Sequence, residues 1–136
     1  MRLYFDSSAL IKRVVVEDES DAVVDFLDTH WEQGDLLVSS SLAWVEVSRA
    51  VLARVKSPAG AGDLIDAALS GIDDHQLTAE VVSVARRIGP LVLRSLDGLH
   101  LATAVLVDAD VVVTYDDRLA DACRRNSLAV ESPGRG

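Results

Sequence analysis

Four acidic residues stand in segments of the chain that are otherwise apolar. Asp6 and Asp116 each end a short apolar run, whereas Glu46 and Asp97 lie in segments with helical spacing. Charged side chains are rarely buried unless they are paired or bind a metal ion. Carboxylate oxygens are the ligands that hard divalent cations prefer. If the four side chains meet in the fold, they would form a binding site for such a cation.

A carboxylate site of this kind has a definite chemistry. Mg²⁺ keeps several waters and uses one or two carboxylates directly, so the other acids orient those waters. Such a centre activates water and stabilises the charge on a phosphodiester undergoing in-line displacement. One cysteine, Cys123, and three scattered histidines give no zinc pattern. The chain also has no Walker loop, no GxGxxG motif and no legible Ser-His-Asp arrangement.

Each acid also has a purely structural explanation. Asp6 is a suitable N-cap for a following helix, and Asp116 is a suitable cap for the last long helix, because aspartate accepts hydrogen bonds from free backbone N–H groups. Asp97 has the same ambiguity, with Ser95 as the rival cap. Glu46 lies three residues before Arg49, and in the rival interpretation the two side chains pair on one helix face.

Three smaller polar residues fit a supporting role around the acids. Ser8 is two residues after Asp6 and is placed to hydrogen-bond that carboxylate. Thr114 is two residues before Asp116 and points to the same side of the strand. Asp117 reads as a helix-start acid, with a role behind the metal ligands as the alternative.

Four further side chains are ambiguous between the site and ordinary structure. His100 is three residues after Asp97 on a predicted helix, and we expect it to be a packed core residue. Lys12, Arg13 and Arg49 are placed either to meet phosphate or simply to be solvated.

Strand and helix patterns alternate along the chain. The predicted strands are Arg2–Phe5, Leu36–Ser39, His75–Leu77, Val111–Tyr115 and Leu128–Val130. The predicted helices are Ser7–Arg13, Ser20–Gln33, Ser40 or Ser41 to about Lys56, Asp63–Gly71, Thr78 (as N-cap) to near Gly89-Pro90, Ser95 or Asp97 to about Val107, and Asp117–Asn126. The segment 57–62 reads as a loop. This order predicts a parallel sheet with helices on both faces, in which Asp6 and Asp116 share the carboxyl edge.

Composition limits the class of protein. The 136 residues, 49% of them hydrophobic, predict one domain, 1–136, with an aliphatic core. A net charge of −9 argues against an unassisted nucleic-acid binder, but leaves room for a metal-neutralised nuclease and for a basic protein partner. A single cysteine fits a reducing cytoplasm, and no signal peptide or membrane span is legible. We therefore expect a cytoplasmic protein.

Four motifs, in this order, resemble a PIN domain. They are YFDSSALIKR (4–13), the glutamate of AWVEVSRA (43–50), SLDGLHLATA (95–104) and VVVTYDDRLADA (111–122). Their order and spacing are similar to the toxin branch of that family, the VapC ribonucleases of prokaryotic toxin–antitoxin pairs. The resemblance spans nearly the whole chain. Three features depart from it: Ala43 stands where relatives often have Ser or Thr, Gly98 follows Asp97, and Asp117 stands beside Asp116.

The resemblance implies a three-layer α/β/α sandwich with a mainly parallel sheet and a Mg²⁺- or Mn²⁺-dependent endoribonuclease. It also implies a homodimer, and inhibition by a cognate antitoxin that inserts a segment near the active site. By position, Asp6, Glu46, Asp97 and Asp116 match the acidic quartet of the family. Ser8 and Thr114 match its polar supporting residues.

Together these observations predict an endoribonuclease toxin that hydrolyses RNA. Asp6, Asp97 and Asp116 are the expected metal ligands, and Glu46 is the fourth catalytic acid. A rival interpretation is a non-catalytic binding module whose acids receive a basic partner segment. A second rival, a phosphatase of the haloacid dehalogenase type, is disfavoured because Ser8 stands where that class needs a second aspartate.

Overall fold

The computed structural model describes residues 1–135 of the chain. Five strands are present: β1 (Arg2–Phe5), β2 (Leu36–Ser40), β3 (Asp73–His75), β4 (Val111–Val113) and β5 (Ala129–Glu131). The helices are α1 (Ser7–Ile11), α2 (Ser20–Glu32), α3 (Ser41–Arg54), α4 (Ala61–Leu69), α5 (Ala79–Ala85), α6 (Ser95–Leu106) and α7 (Asp117–Arg125), with a 3₁₀ turn at Pro58–Gly60. The strands form one parallel sheet in the order β3-β2-β1-β4-β5.

The apolar strands are buried on both faces of the sheet. Successive side chains of a strand point to opposite faces, so Leu3 and Phe5 enter one core while Tyr4 enters the other. In β4, Val113 joins the first core and Val112 joins the second. Helices α1, α2, α3 and α4 contribute to the first core, and α6 and α7 to the second. This confirms the predicted three-layer α/β/α sandwich with a parallel sheet.

The order of the strands fixes where a ligand can bind. The chain steps from β1 through β2 to β3 in one direction and then returns to place β4 on the other side of β1. The crevice at such a reversal, outside the carboxyl ends of the strands, is the usual binding place in open α/β sheets. Phe5 pairs with Val113, and the backbone N–H of Asp6 donates to the Val113 carbonyl at 3.3 Å. Asp6 and Asp116 therefore share this edge.

Side chains satisfy the free N–H groups at four helix starts. Ser40 caps α3 and Thr78 caps α5, as predicted. Asp6 caps α1 by accepting from Ala9, and Asp116 caps α7. The two aspartates thus fill the structural role that the sequence offered as an alternative.

Several predicted boundaries of strands and helices are wrong. Strand β3 is Asp73–His75 rather than 75–77, because its place is set by pairing with β2 and not by an apolar pattern of its own. Part of the predicted loop 57–62 is a 3₁₀ turn, and α4 begins at Ala61, whose side chain is buried. Helix α5 ends at Ala85, before Gly89. Within residues 1–135 no helix is long and apolar enough to cross a membrane.

The second core should be sensitive to loss of side-chain volume. Leu101 is 0% exposed in α6, so Leu101→Ala should lower the free energy of unfolding by about 2–5 kcal/mol. Leu91, which is 94% exposed, is the matched control, and Leu91→Ala should change stability by no more than about 0.5 kcal/mol. Urea denaturation of both variants measures this. Equal effects would contradict the assignment of Leu101 to the core.

Candidate active site

The four acidic residues line one cleft at the carboxyl edge of the sheet. The cleft has a volume of about 430 Å³ and is lined by Asp6, Ser7, Ser8, Glu46, Arg94, Ser95, Leu96, Asp97, His100 and Asp116. The acids come from four separate segments: the residue after β1, the middle of α3, the first turn of α6 and the residue before α7. A bulk water occupies roughly 30 Å³, so the cleft has room for a hydrated ion.

Asp6 is the most buried of these carboxylates, with 4% of its surface exposed. Its Oδ1 accepts from the Ser8 hydroxyl at 2.6 Å and from the Ala9 N–H at 3.1 Å. Its Oδ2 accepts from the Thr114 hydroxyl at 2.6 Å. Burial raises the pKa of Asp6 above its usual range, while the nearby His100 ring and these hydrogen bonds act in the opposite direction. Both oxygens are therefore held in fixed directions.

Hydroxyl groups join Asp6 to the segment that carries Asp116. The Ser8 hydroxyl accepts from the Tyr115 N–H at 3.0 Å, and the Thr114 hydroxyl accepts from the Asp116 N–H at 3.0 Å. The predicted hydrogen bond from Ser8 to Asp6 is confirmed. Thr114 does not line the cleft, but it holds two of the acids in register from behind.

Arg94 lies between two of the acids. Its Nε is 3.3 Å from Oδ2 of Asp97, and its Nη2 is 3.5 Å from Oδ2 of Asp116. The other oxygen of Asp116 caps α7 by accepting from two backbone N–H groups. The Arg94 side chain is 63% exposed, so it enters the cleft from its open side.

Glu46 is anchored by a buried hydrogen-bonded chain. Its Oε1 lies 2.6 Å from Nε2 of His100, and Nδ1 of His100 lies 2.6 Å from the Tyr4 hydroxyl. Burial, followed by the negative field of Asp6, raises the pKa of Tyr4 well above its usual range, so the phenol keeps its proton. When that hydroxyl donates to Nδ1, Nε2 carries the hydrogen and donates to Glu46.

The structure decides three alternatives that the sequence left open. Within residues 1–135 Glu46 makes no ion pair with Arg49; His100 takes that place. His100 is buried, as predicted, yet it also reaches the cleft. Asp117 starts α7, as predicted, and does not lie behind the ligands, because its side chain is 92% exposed and pairs with Arg135.

The basic residues that were candidates for phosphate contacts lie elsewhere. Lys12 is paired with Glu17 and Glu19, and Arg13 donates to backbone carbonyls next to α4. The guanidinium in the cleft is that of Arg94, which the sequence analysis missed. The available signal was its position three residues before Asp97, one helical turn away.

The chemical type of the ligating groups in the cleft suits a hard divalent cation. The ligating groups of the cleft are carboxylates and serine hydroxyls, and the ring nitrogens of His100 already have partners. Among residues 1–135 no three carboxylate, imidazole or thiolate side chains lie close enough together to be direct ligands of one ion. The arrangement therefore fits an ion of the Mg²⁺ type, which takes one or two carboxylates and fills its remaining positions with water.

Fold and site together define a class: an α/β protein with a carboxylate-lined cleft at the switch point of a parallel sheet. The sequence profile of the PIN domain family matches residues 3–125. Ribonuclease VapC47 of Mycobacterium tuberculosis is 38% identical over 134 residues, which cover 97% of this chain and 97% of that protein. Ribonuclease VapC46 of the same organism is 40% identical over 133 residues, covering 96% and 97%.

A solved structure shares the fold. The matching chain in the crystal structure of VapBC2 from Rickettsia felis, bound to a DNA fragment from their promoter, superposes with a TM-score of 0.74. It is 16% identical, and the match covers 96% of this chain and 98% of that one. The chain belongs to the PIN domain family, in the VapC branch of that family.

The burial of Asp6 gives stability a definite dependence on pH. Because its pKa is raised in the folded protein, the folded state binds this proton more tightly than the unfolded state does. The stabilisation that comes from protonated Asp6 is fully present at low pH, and it is lost as pH rises through the pKa of Asp6 in the folded protein. Asp6→Asn, which keeps the cap, should therefore raise the melting temperature at pH 7 in EDTA. The gain should shrink as pH falls toward 3.8, the ordinary pKa.

Thermal denaturation across this pH range measures the effect. Asp25→Asn, at an exposed position of α2, is the control with the same change of charge. A lower melting temperature for Asp6→Asn at pH 7 would contradict the assigned cost of burying this carboxylate.

The hydrogen bonds that link the side chains of Tyr4, His100 and Glu46 should contribute to the free energy of unfolding. Tyr4→Phe leaves Nδ1 of His100 buried without its partner, which should cost about 1–3 kcal/mol. Tyr115→Phe is the matched control, since its hydroxyl donates to a backbone carbonyl through a hydrogen bond that is only partly buried. Urea denaturation compares the two. A cost for Tyr4→Phe no larger than that for Tyr115→Phe would refute this account.

Proposed function

We propose that this protein is a metal-dependent endoribonuclease, the toxin of a toxin–antitoxin pair. One observation carries the proposal: four carboxylates from distant parts of the chain line a single cleft at the switch point of the sheet. Relatives that are 38–40% identical over nearly the full length are named ribonucleases. The alternative of a phosphatase gains no support from the structure, because Ser8 donates to Asp6 and adds no second carboxylate there.

The residues divide the work of hydrolysis among them. Asp6, Asp97 and Asp116 would hold Mg²⁺ or Mn²⁺, directly or through water. When bound, the ion supplies Lewis acidity toward the phosphodiester. Glu46 faces the same cleft with a half-buried side chain and orients the attacking water, and His100 fixes its direction. Ser8 and Thr114 hold Asp6 so that its oxygens do not turn away.

The substrate we propose is single-stranded or loop RNA. The cleft is open on the side where Arg94 enters. Because the chain has a net charge of −9, it does not attract RNA by its charge alone. Nucleotides of single strands and loops can be splayed out to enter such a cleft, whereas those of a duplex stay stacked. The divalent ion then neutralises the carboxylates that would repel the backbone.

The partner we propose is a cognate antitoxin with a basic segment. An acidic cleft on a chain of net charge −9 is complementary to Arg or Lys side chains. A structural neighbour, VapBC2 of Rickettsia felis, is named as a pair and was solved on promoter DNA. We propose in addition that the protein acts in the cytoplasm as a homodimer.

The proposal is tested by replacing the acids and titrating the metal. Asp6→Asn and Asp97→Asn should each lower RNA cleavage by about a hundredfold or more, because each removes an ion ligand. The folded state, followed by circular dichroism, should persist. Cleavage by the wild type should vanish in EDTA and return with Mg²⁺ or Mn²⁺.

Asp121→Asn serves as the control, since its exposed carboxylate pairs with Arg125 on the far side of α7. Full activity in either cleft variant would refute the assigned roles. RNA binding without cleavage at any metal concentration would favour the non-catalytic binding module instead.

A further inference from the structure

Arg94 is the cation that the structure itself places among the acids. Its guanidinium contacts Asp97 through Nε and Asp116 through Nη2, at 3.3 and 3.5 Å. These two carboxylates belong to different elements, the first turn of α6 and the residue before α7. One planar guanidinium therefore bridges two segments, with one nitrogen directed at each carboxylate.

The other acids of the cleft have different partners. Asp6 accepts from hydroxyls and a backbone N–H, and Glu46 faces His100. Within residues 1–135 no other lysine or arginine lines the cleft. The positive charge that a basic side chain brings to the cleft is therefore that of Arg94. Arg94 contacts two of the three carboxylates that the proposed function assigns to the divalent ion.

The position of Arg94 allows its side chain to turn away from the two carboxylates. Its side chain is 63% exposed, and it precedes the first residue of α6. Two residues nearby are also open to solvent, since Leu91 is 94% exposed and Val92 is 85% exposed, whereas Leu93 packs against the second core. An exposed guanidinium at a helix start can turn outward without opening either hydrophobic core.

We propose that Arg94 and the divalent ion take turns on Asp97 and Asp116. In the metal-free protein the guanidinium holds the two carboxylates together. The ion displaces it, and the released guanidinium binds a phosphate of the RNA at the mouth of the cleft. Guanidinium groups pair with phosphate as they do with carboxylate, by two parallel N–H bonds. The inference rests on the proposed function, since it uses the same metal site and substrate.

The first test measures the metal alone. The full chain, stripped with EDTA, is titrated with MnCl₂ by calorimetry without RNA, and wild type is compared with Arg94→Gln. Removing the competitor should tighten Mn²⁺ binding by on the order of tenfold, as for other coupled ligands. Arg124→Gln is the matched control: it changes net charge equally but lies in the last turn of α7, at the end opposite Asp116. That variant should change the affinity by less than about twofold, because its charge is distant and screened.

The second test measures RNA cleavage at saturating Mn²⁺. Arg94→Gln should raise KM for a single-stranded RNA by about tenfold and leave kcat nearly unchanged, because the guanidinium holds the substrate and not the reacting atoms. Arg94→Lys should restore part of the loss in KM, since an ammonium keeps the charge but loses the paired N–H geometry. Arg124→Gln should match the wild type.

Each result decides a distinct part of the inference. Equal Mn²⁺ affinity in wild type and Arg94→Gln would overturn the exchange, and failure of both to bind Mn²⁺ would overturn it together with the metal centre. Tighter Mn²⁺ binding with an unchanged KM would overturn the phosphate contact. A wild type that binds Mn²⁺ but cleaves no RNA would defeat the proposed ribonuclease, while the metal titration would still decide the exchange.

Discussion

The site depends on the hydrogen bond from the Thr114 hydroxyl to the Asp6 carboxylate. This bond joins the residue after β1 to the residue after β4, the two strands that meet where the order of the sheet reverses. A carboxylate buried to this degree is costly unless its oxygens have donors. Thr114 supplies one donor, and Ser8 and the backbone of α1 supply the others. Within residues 1–135 every buried side-chain nitrogen or oxygen has a partner.

The acids of the cleft serve the fold and the chemistry at the same time. Asp6 and Asp116 each use an oxygen to cap a helix, which fixes the carboxylate against a rigid element. The remaining oxygen of each one then has a set direction, toward Thr114 or toward Arg94. The two explanations that the sequence left open for these residues, a cap or a site, are therefore compatible. A capped carboxylate is also a preorganised one.

The sequence was informative where a local pattern has a single meaning. Continuous apolar runs predicted β1 and β4, and the carboxyl ends of these two strands in a parallel sheet led to Asp6 and Asp116. Strand β3 was misplaced because an edge strand of polar residues has no apolar pattern to follow. The partner of Glu46 was missed for a related reason. His100 is 54 positions away in the chain, and only the packing of α3 and α6 around the sheet determines that the two side chains meet.

The pairing of β1 with β4 has a consequence for biosynthesis. Leu3 lies beside Val111 in the sheet, so the segment from β1 to β4 must leave the ribosome before β1 gains its second neighbour. Translation that stops short of Asp116 yields a fragment without one wall of the cleft. A nascent chain therefore has no complete cleft until the segment that ends at Asp116 has been synthesised.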